Sequence, residues 1–273
     1  MVEIGNRRSR GSAGTHGVNG IDLSGKVAVV TGGSRGLGLA ISRSLSRAGA
    51  TVAVASRKLA VCEQVVEELR ADGASASAHS FDAGRWVDCD RLYDEVTGRW
   101  GGAHILINNA GISPVAPSSL ETSEQLFDKI IAVNLRAAFR LSALFGAQMR
   151  TLGSGSIVNI SSAGSLRPEP GFAPYAAAKA GLNVLTFTFA QEFGPNVRVN
   201  TVMPGPFHTD GTKAWSRSDE FARHAQRTLP LGRAGEPVEI TGAILYLVSD
   251  LASFTTGATL TVDGGHSIAG HRT

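Results

Sequence analysis

Tyr175 and Lys179 stand four positions apart in Tyr175-Ala176-Ala177-Ala178-Lys179, a spacing that puts both side chains on one face if the segment is helical. A phenol ordinarily keeps its proton to a pH near 10, and an adjacent ammonium favours the phenolate. The pair can therefore exchange a proton with a bound oxygen at a moderate pH. Thirteen residues before Tyr175, Ser162 closes the run Ile157-Val158-Asn159-Ile160-Ser161-Ser162 and offers a hydroxyl to the same oxygen.

A second group of residues suits phosphate. The apolar run Val27 to Val30 leads into Thr31-Gly32-Gly33-Ser34-Arg35-Gly36-Leu37-Gly38, after which a helical pattern begins. Glycines at a strand-to-helix junction let the backbone approach a pyrophosphate, which the N–H groups and dipole of the helix then stabilise. The spacing is Gly-x-x-x-Gly-x-Gly, through Gly32, Gly36 and Gly38, and not the commoner Gly-x-Gly-x-x-Gly. The same turn also reads as Gly32-x-Ser34-x-Gly36, a nucleophile elbow that would make Ser34 an acyl-transfer nucleophile of a serine hydrolase. Such an elbow normally follows several strands, whereas this turn follows the first, and nothing about Ser34 selects a His and an Asp as its partners.

The run Thr51 to Ala55 ends in Ser56-Arg57-Lys58, where a site specific for NAD would carry an Asp to accept from the ribose 2'-hydroxyl. Arg57 and Arg35 can instead hold a 2'-phosphate by charge-assisted bonds, so the cofactor expected is NADP(H). The competing reading of Arg57 and Lys58 is a solvated helix start, which leaves the missing Asp unexplained.

The glycine turn, Asn108-Asn109-Ala110-Gly111, Ser162 and the Tyr175/Lys179 pair occur in one order along the chain, and by them the sequence resembles the short-chain dehydrogenase/reductase family from about Leu23 to Gly265. The resemblance implies that Asn134, Ser162, Tyr175 and Lys179 are catalytic, with Ser162 chosen over Ser161 and Asn134 holding a water against the lysine. It implies a cofactor site made by Gly32, Ser34, Arg35, Gly36, Leu37, Gly38, Ser56 and Arg57, with Asp82 at the adenine. Asn109, Ala110 and Gly111 belong to that site as well, and Tyr175 and Lys179 contribute to it. Pro204 and Gly205 would cover the nicotinamide, and Thr209 would meet its carboxamide. The closing segment Val262-Asp263-Gly264-Gly265 implies packing in a homotetramer.

The activity implied is NADP(H)-dependent hydride transfer between the nicotinamide and a small-molecule carbonyl or secondary alcohol. Its nearest subclasses are 3-oxoacyl thioester reductases and gluconate-type dehydrogenases, which share Pro230-Leu231-Gly232-Arg233-Ala234-Gly235-Glu236-Pro237. Ala190-Gln191-Glu192 lacks the arginine that carrier-protein reductases often have there, which weakens a docking surface for an acidic carrier, although Arg140 remains available to contribute. A nucleotide-binding scaffold without turnover is the alternative from another class, and it has no need of all four catalytic residues.

The elements that must position these residues alternate along the chain. Extended runs at 26–31, 51–55, 104–108, 156–161, 197–202 and 259–262, with a weaker one at 75–81, are separated by helical patterns such as 36–48, 59–71, 128–150, 174–193 and 237–249. This is the signature of repeated βαβ units. It predicts one α/β domain over 21–273, a Rossmann-type doubly wound seven-stranded parallel sheet with helices on both faces, and a substrate loop at 206–230. Residues 1–20 are rich in Gly, Ser and Arg without apolar period and are expected to be a disordered extension.

Composition narrows the function classes. The net charge of +3 includes +2 from residues 1–20, where Arg7, Arg8 and Arg10 face Glu3, so the body is nearly neutral and lacks the electrostatic footprint of a nucleic-acid binder. Cys62 and Cys89 have no disulfide or metal spacing and suit a reducing cytoplasm. No run reaches about 18 consecutive apolar residues, so a soluble protein with no membrane partner is expected. His208 reads as a solvent-touching loop residue, Trp215 and Phe221 as pocket lining or a lid, and His266, His271 and Arg272 as a polar tail without a metal site.

Overall fold

The computed structural model describes residues 20–268; His271, Arg272 and all but Gly20 of the expected N-terminal extension lie outside the described residues. Seven short runs form strands: β1 Val27–Thr31, β2 Thr51–Ser56, β3 Ala76–Ser80, β4 Ile105–Asn108, β5 Gly155–Ile160, β6 Val197–Pro204 and β7 Thr259–Val262, and all but β3 contain β-branched residues. They pair in the order β3-β2-β1-β4-β5-β6-β7, and every pair is parallel. Parallel strands need helical crossovers that cover both faces, which is why β1 is buried along its whole length.

Alternation along β1 divides the core in two. Ala28 and Val30 face α1 (Gly36–Arg47), α2 (Leu59–Ala71) and α9 (Thr241–Val248), meeting Ile41, Leu45, Val65 and Ile244. Val27 and Val29 face α3 (Trp86–Trp100), α5 (Ala137–Leu152) and α6 (Ala173–Phe193), meeting Leu92, Leu141, Phe145 and Phe193. The chain order reverses between β1 and β4, and the crevice at the carboxyl ends of these two strands is where such sheets bind ligands.

The helix expected over 128–150 is longer and interrupted. It begins as α4 (Glu124–Ile131), capped by the Ser123 hydroxyl accepting from Leu126 N–H, widens into a π turn at Ala132–Arg136, and continues as α5. By length and mean hydropathy the stretch Glu124–Leu152 could cross a membrane, but half of that apolar window is buried within the fold. Two short helices, α7 (Lys213–Ser216) and α8 (Asp219–Thr228), occupy the expected substrate loop.

Candidate active site

A cavity of about 1420 Å³ opens at the carboxyl ends of the strands, running from Ser56 and Arg57 after β2, past the glycine turn, to Ser162 after β5. All but one of the residues expected to bind cofactor or do chemistry line it. The exception is Gly38, which lies beneath: a Cβ there would collide with the Gly32 carbonyl oxygen and the Asn109 amide, so this glycine serves helix-to-turn packing.

The turn is built for an anion. Gly32 and Gly36 adopt φ of +63° and +51°, the left-handed region that glycine enters without strain. No side chain caps the start of α1, and its first turn has no acidic residue, which leaves backbone N–H donors and the positive end of the helix for a pyrophosphate. Arg35, Arg57 and Lys58 are exposed at this end of the cavity. An uncapped helix start, a glycine cradle and three cations fit the phosphates of a nicotinamide dinucleotide.

Thr31 joins β1 to β4 beneath this turn. Its hydroxyl donates to the Ile107 carbonyl oxygen at 3.1 Å and accepts from the backbone N–H groups of Asn109 and Ala110 at 2.9 and 3.0 Å. The Asn109 side chain donates to the Thr31 and Gly32 carbonyl oxygens at 2.8 and 3.3 Å, so it steadies the glycine turn. Asp82 lines the cavity while its Oδ1 accepts from Gly84 N–H at 2.9 Å. Its own N–H donates to buried Asp88 at 3.0 Å, a positioning contact that the sequence reading missed.

On the β5 side, α6 carries Tyr175 and Lys179 on one face in its first two turns. The Tyr175 hydroxyl is hydrogen-bonded to Ser162, whose Oγ also accepts from Gly164 N–H at 3.1 Å. Ser161 faces inward, donating to the Lys179 carbonyl oxygen at 3.2 Å. The Lys179 Nζ donates to the Ile160 carbonyl oxygen at 2.8 Å and lies 5.9 Å from the centre of the Tyr175 ring.

The expected lowering of the Tyr175 pKa is not what this geometry gives. Burial raises it above its ordinary value, and the Ser162 hydrogen bond only partly opposes that. Burial acts on Lys179 as well, bringing its ammonium from 10.5 down to about 8, because a low-dielectric site penalises charge.

Asn134 sits in the π turn, where the widened backbone aims its side chain at the loop after β4. Its Nδ2 donates to the carbonyl oxygens of Ile112 and Ile130 at 2.9 and 3.0 Å, and its Oδ1 accepts from Ile112 N–H at 3.2 Å. π turns recur at functional sites, and the apolar period of the sequence gave no sign of this one.

Pro204, Gly205 and Thr209 line the cavity from above, with Thr209 against Gly36. The unforeseen organiser of this segment is Thr212. Its hydroxyl donates to the Phe207 carbonyl oxygen at 2.6 Å and accepts from Thr209 N–H at 2.9 Å. His208 is a partly buried tie, not a free surface group: Nδ1 meets Ser216 Oγ at 3.2 Å and Nε2 lies 4.0 Å from Glu236. Trp215 and Phe221 pack edge-on at 5.0 Å. Arg140, considered for carrier docking, is engaged by Asp90 at 2.6 Å and lies 5.1 Å over the Trp86 ring. Among the described residues no group of three His, Cys, Asp or Glu side chains could hold a metal ion.

A family model described as enoyl-(acyl carrier protein) reductase matches residues 32–267. Dehydrogenase/reductase SDR family member 4 of Homo sapiens is 36% identical over 244 residues, 89% of this chain and 88% of its own length. The crystal structure of gluconate 5-dehydrogenase from Burkholderia cenocepacia J2315, in complex with NADP and tartrate, aligns with a TM-score of 0.87 at 31% identity, covering 92% of this chain and 98% of its own. A 7α-hydroxysteroid dehydrogenase complexed with NADH and 7-oxo glycochenodeoxycholic acid aligns with a TM-score of 0.85 at 31% identity, covering 90% and 95%. Fold, motif order and these likenesses agree that the chain belongs to the short-chain dehydrogenase/reductase family, oxidoreductases that move a hydride between a nicotinamide dinucleotide and a carbonyl or alcohol carbon.

Proposed function

We propose that this chain is an NADP(H)-preferring oxidoreductase that reduces a small-molecule ketone or aldehyde, or oxidises the matching alcohol, with Tyr175 as the proton-exchanging group. The observation that carries the reading is one continuous cavity with Arg35, Arg57 and Lys58, and no carboxylate after β2, on one side and the Ser162–Tyr175–Lys179 cluster on the other. Of the two solved relatives described above, one holds NADP and the other NADH, so the preference rests on the cations of this chain.

The pyrophosphate would lie on the α1 N-terminus and the glycine turn, the adenine beside Asp82, and the nicotinamide under Pro204, Gly205 and Thr209. The dinucleotide, when bound, supplies or accepts the hydride. Tyr175 gives its hydroxyl proton to the substrate oxygen in reduction and regains it in the reverse direction. Ser162 donates a hydrogen bond to that oxygen and strengthens as negative charge develops on it. The Lys179 ammonium stabilises the phenolate left on Tyr175, and Asn134 fixes the backbone at Ile112, next to Gly111, which lies beside the Lys179 ammonium.

A non-catalytic scaffold would gain nothing from a buried ammonium at Lys179. The hydrolase alternative is disfavoured because the Ser34 hydroxyl is paired with that of Ser56 at 2.7 Å and not with an imidazole. A carrier-protein thioester is disfavoured because Arg140 is held by Asp90. The chain is further proposed to work in the reducing cytoplasm, where its buried, free cysteines suit the compartment, and as a homotetramer that uses the open edge of β7.

Titrating NADPH and NADH against the purified protein tests the cofactor reading. NADPH is expected to bind at least about tenfold tighter, the scale of one charge-assisted contact. Arg57→Ala should weaken NADPH alone, and equal affinities in the wild type would refute the preference.

A further inference from the structure

We infer that Cys62 is a positioning residue for cofactor choice: it begins a donor chain, Cys62 to Ser56 to Ser34, that turns the Ser34 hydroxyl proton toward the cavity. A proton presented there selects a ligand group that only accepts hydrogen bonds, a 2'-phosphate, over one that must also place a proton of its own, a 2'-hydroxyl. The inference rests on the NADP(H) reading above.

The three side chains are in line. Ser34 Oγ lies 2.7 Å from Ser56 Oγ, which lies 3.0 Å from Cys62 Sγ. Cys62 is fully buried in the first turn of α2, among apolar residues that include Val65 and Val66, while Ser34 and Ser56 both line the cavity. The thiol has one other acceptor in reach, the Ser56 carbonyl oxygen at 3.9 Å, and that oxygen already accepts from Phe81 N–H at 2.9 Å. By distance, Ser56 Oγ is the nearer partner.

Direction follows from the chemistry of the three groups. Sulfur is a weak acceptor and a hydroxyl oxygen a strong one, so the Ser56 proton goes to Ser34 and not back to Cys62. Ser34 has then accepted a bond and has its own proton left for the cavity. Each member of such a chain polarises the next. The reverse order would present Ser34 lone pairs to the ligand, which would repel a phosphate. An Asp in place of Ser56 would do the same, accepting from a ribose 2'-hydroxyl.

The test is a double-mutant cycle on cofactor preference, read as the ratio of kcat/KM with NADPH to that with NADH. Cys62→Val keeps side-chain bulk but removes the donor, and should lower the ratio about three- to tenfold, the range of one neutral hydrogen bond, through the KM for NADPH. Cys62→Ser restores a donor and should return the ratio to within about twofold of wild type. In a Ser56→Ala background, Cys62→Val should change the ratio no further, since its route to the ligand is gone. If Cys62→Val does not fold, Cys62→Ala takes its place and the same ratio decides. An unchanged ratio, an equal loss with both cofactors, or a further loss in the Ser56→Ala background overturns the donor chain alone. A wild-type ratio near one overturns the NADP(H) reading itself and the chain with it.

Discussion

Replacing Lys179 by Met should stabilise the cofactor-free protein at neutral pH while removing its activity. The ammonium is buried and its pKa is brought from 10.5 to about 8, a gap that corresponds to roughly 3 kcal/mol against the folded, charged form. Methionine removes this penalty but leaves the Ile160 carbonyl oxygen without its donor, which costs about 1–2 kcal/mol. The balance at pH 7 is a gain of about 1–2 kcal/mol, or roughly 3–6 °C in Tm for a domain of this size. Because the folded pKa is depressed, the unfolded chain binds more protons between about 8 and 10.5, so wild-type stability rises with pH across that window. The penalty is complete below about 8 and gone above 10.5, where the wild type keeps its Ile160 bond and should become the more stable of the two. The raised Tyr175 pKa is common to both proteins and cancels. Thermal unfolding of both at about pH 7 and pH 10.5 measures the difference. A Lys179→Met protein less stable than wild type at pH 7, or an offset that does not change with pH, would refute the reasoning.

Tyr175→Phe should lower kcat by at least about 100-fold, the lower range of general acid–base catalysis, with cofactor affinity nearly unchanged by titration; retention of most activity would sink the proposed mechanism. Carbonyl reduction should slow as pH rises through about 8, because Lys179 then loses the charge that stabilises the Tyr175 phenolate; a flat initial-rate profile would count against that role. Thr212→Val should free the segment over the cavity, seen as faster tryptic cleavage at Arg217, Arg223 or Arg227 and a higher KM for substrate. Unaltered proteolysis would mean that the other contacts of this segment, among them His208 to Ser216, suffice to hold it.

The sheet and the ends of its strands were legible because β-branched runs such as Val27 to Val30 signal burial by residue type alone. The glycine turn and the Tyr175/Lys179 pair were legible because their chemistry is local: a strand–turn–helix and two residues one helical turn apart. Features that depend on distant partners were not. The π turn at Ala132–Arg136 exists where Asn134 bonds Ile112, a contact that crosses 22 positions and leaves no periodic trace. Asp88 and Thr212 were missed for a different reason: their partners Asp82 and Phe207 are only six and five positions away, but loop bonds of this kind follow no periodic pattern and are not marked by residue type. The effect of burial on Tyr175 was not legible either, since charge proximity is visible in a four-residue spacing and desolvation is not.

The Thr31 hydroxyl ties the ends of β1 and β4 together with three hydrogen bonds, all to backbone. Its consequence is kinetic. The floor of the crevice keeps one shape before anything enters it, so little ordering accompanies the arrival of a dinucleotide, and association should run as a single phase whose rate rises linearly with concentration. Differences in affinity among related dinucleotides should then appear almost wholly as differences in how long each one stays. Valine at this position has nearly the same outline but would leave the Ala110 N–H to find a new partner, with Asn109 N–H and the Ile107 carbonyl oxygen keeping only their bond to each other, and a floor loosened in that way should add a slow, concentration-independent phase to cofactor entry.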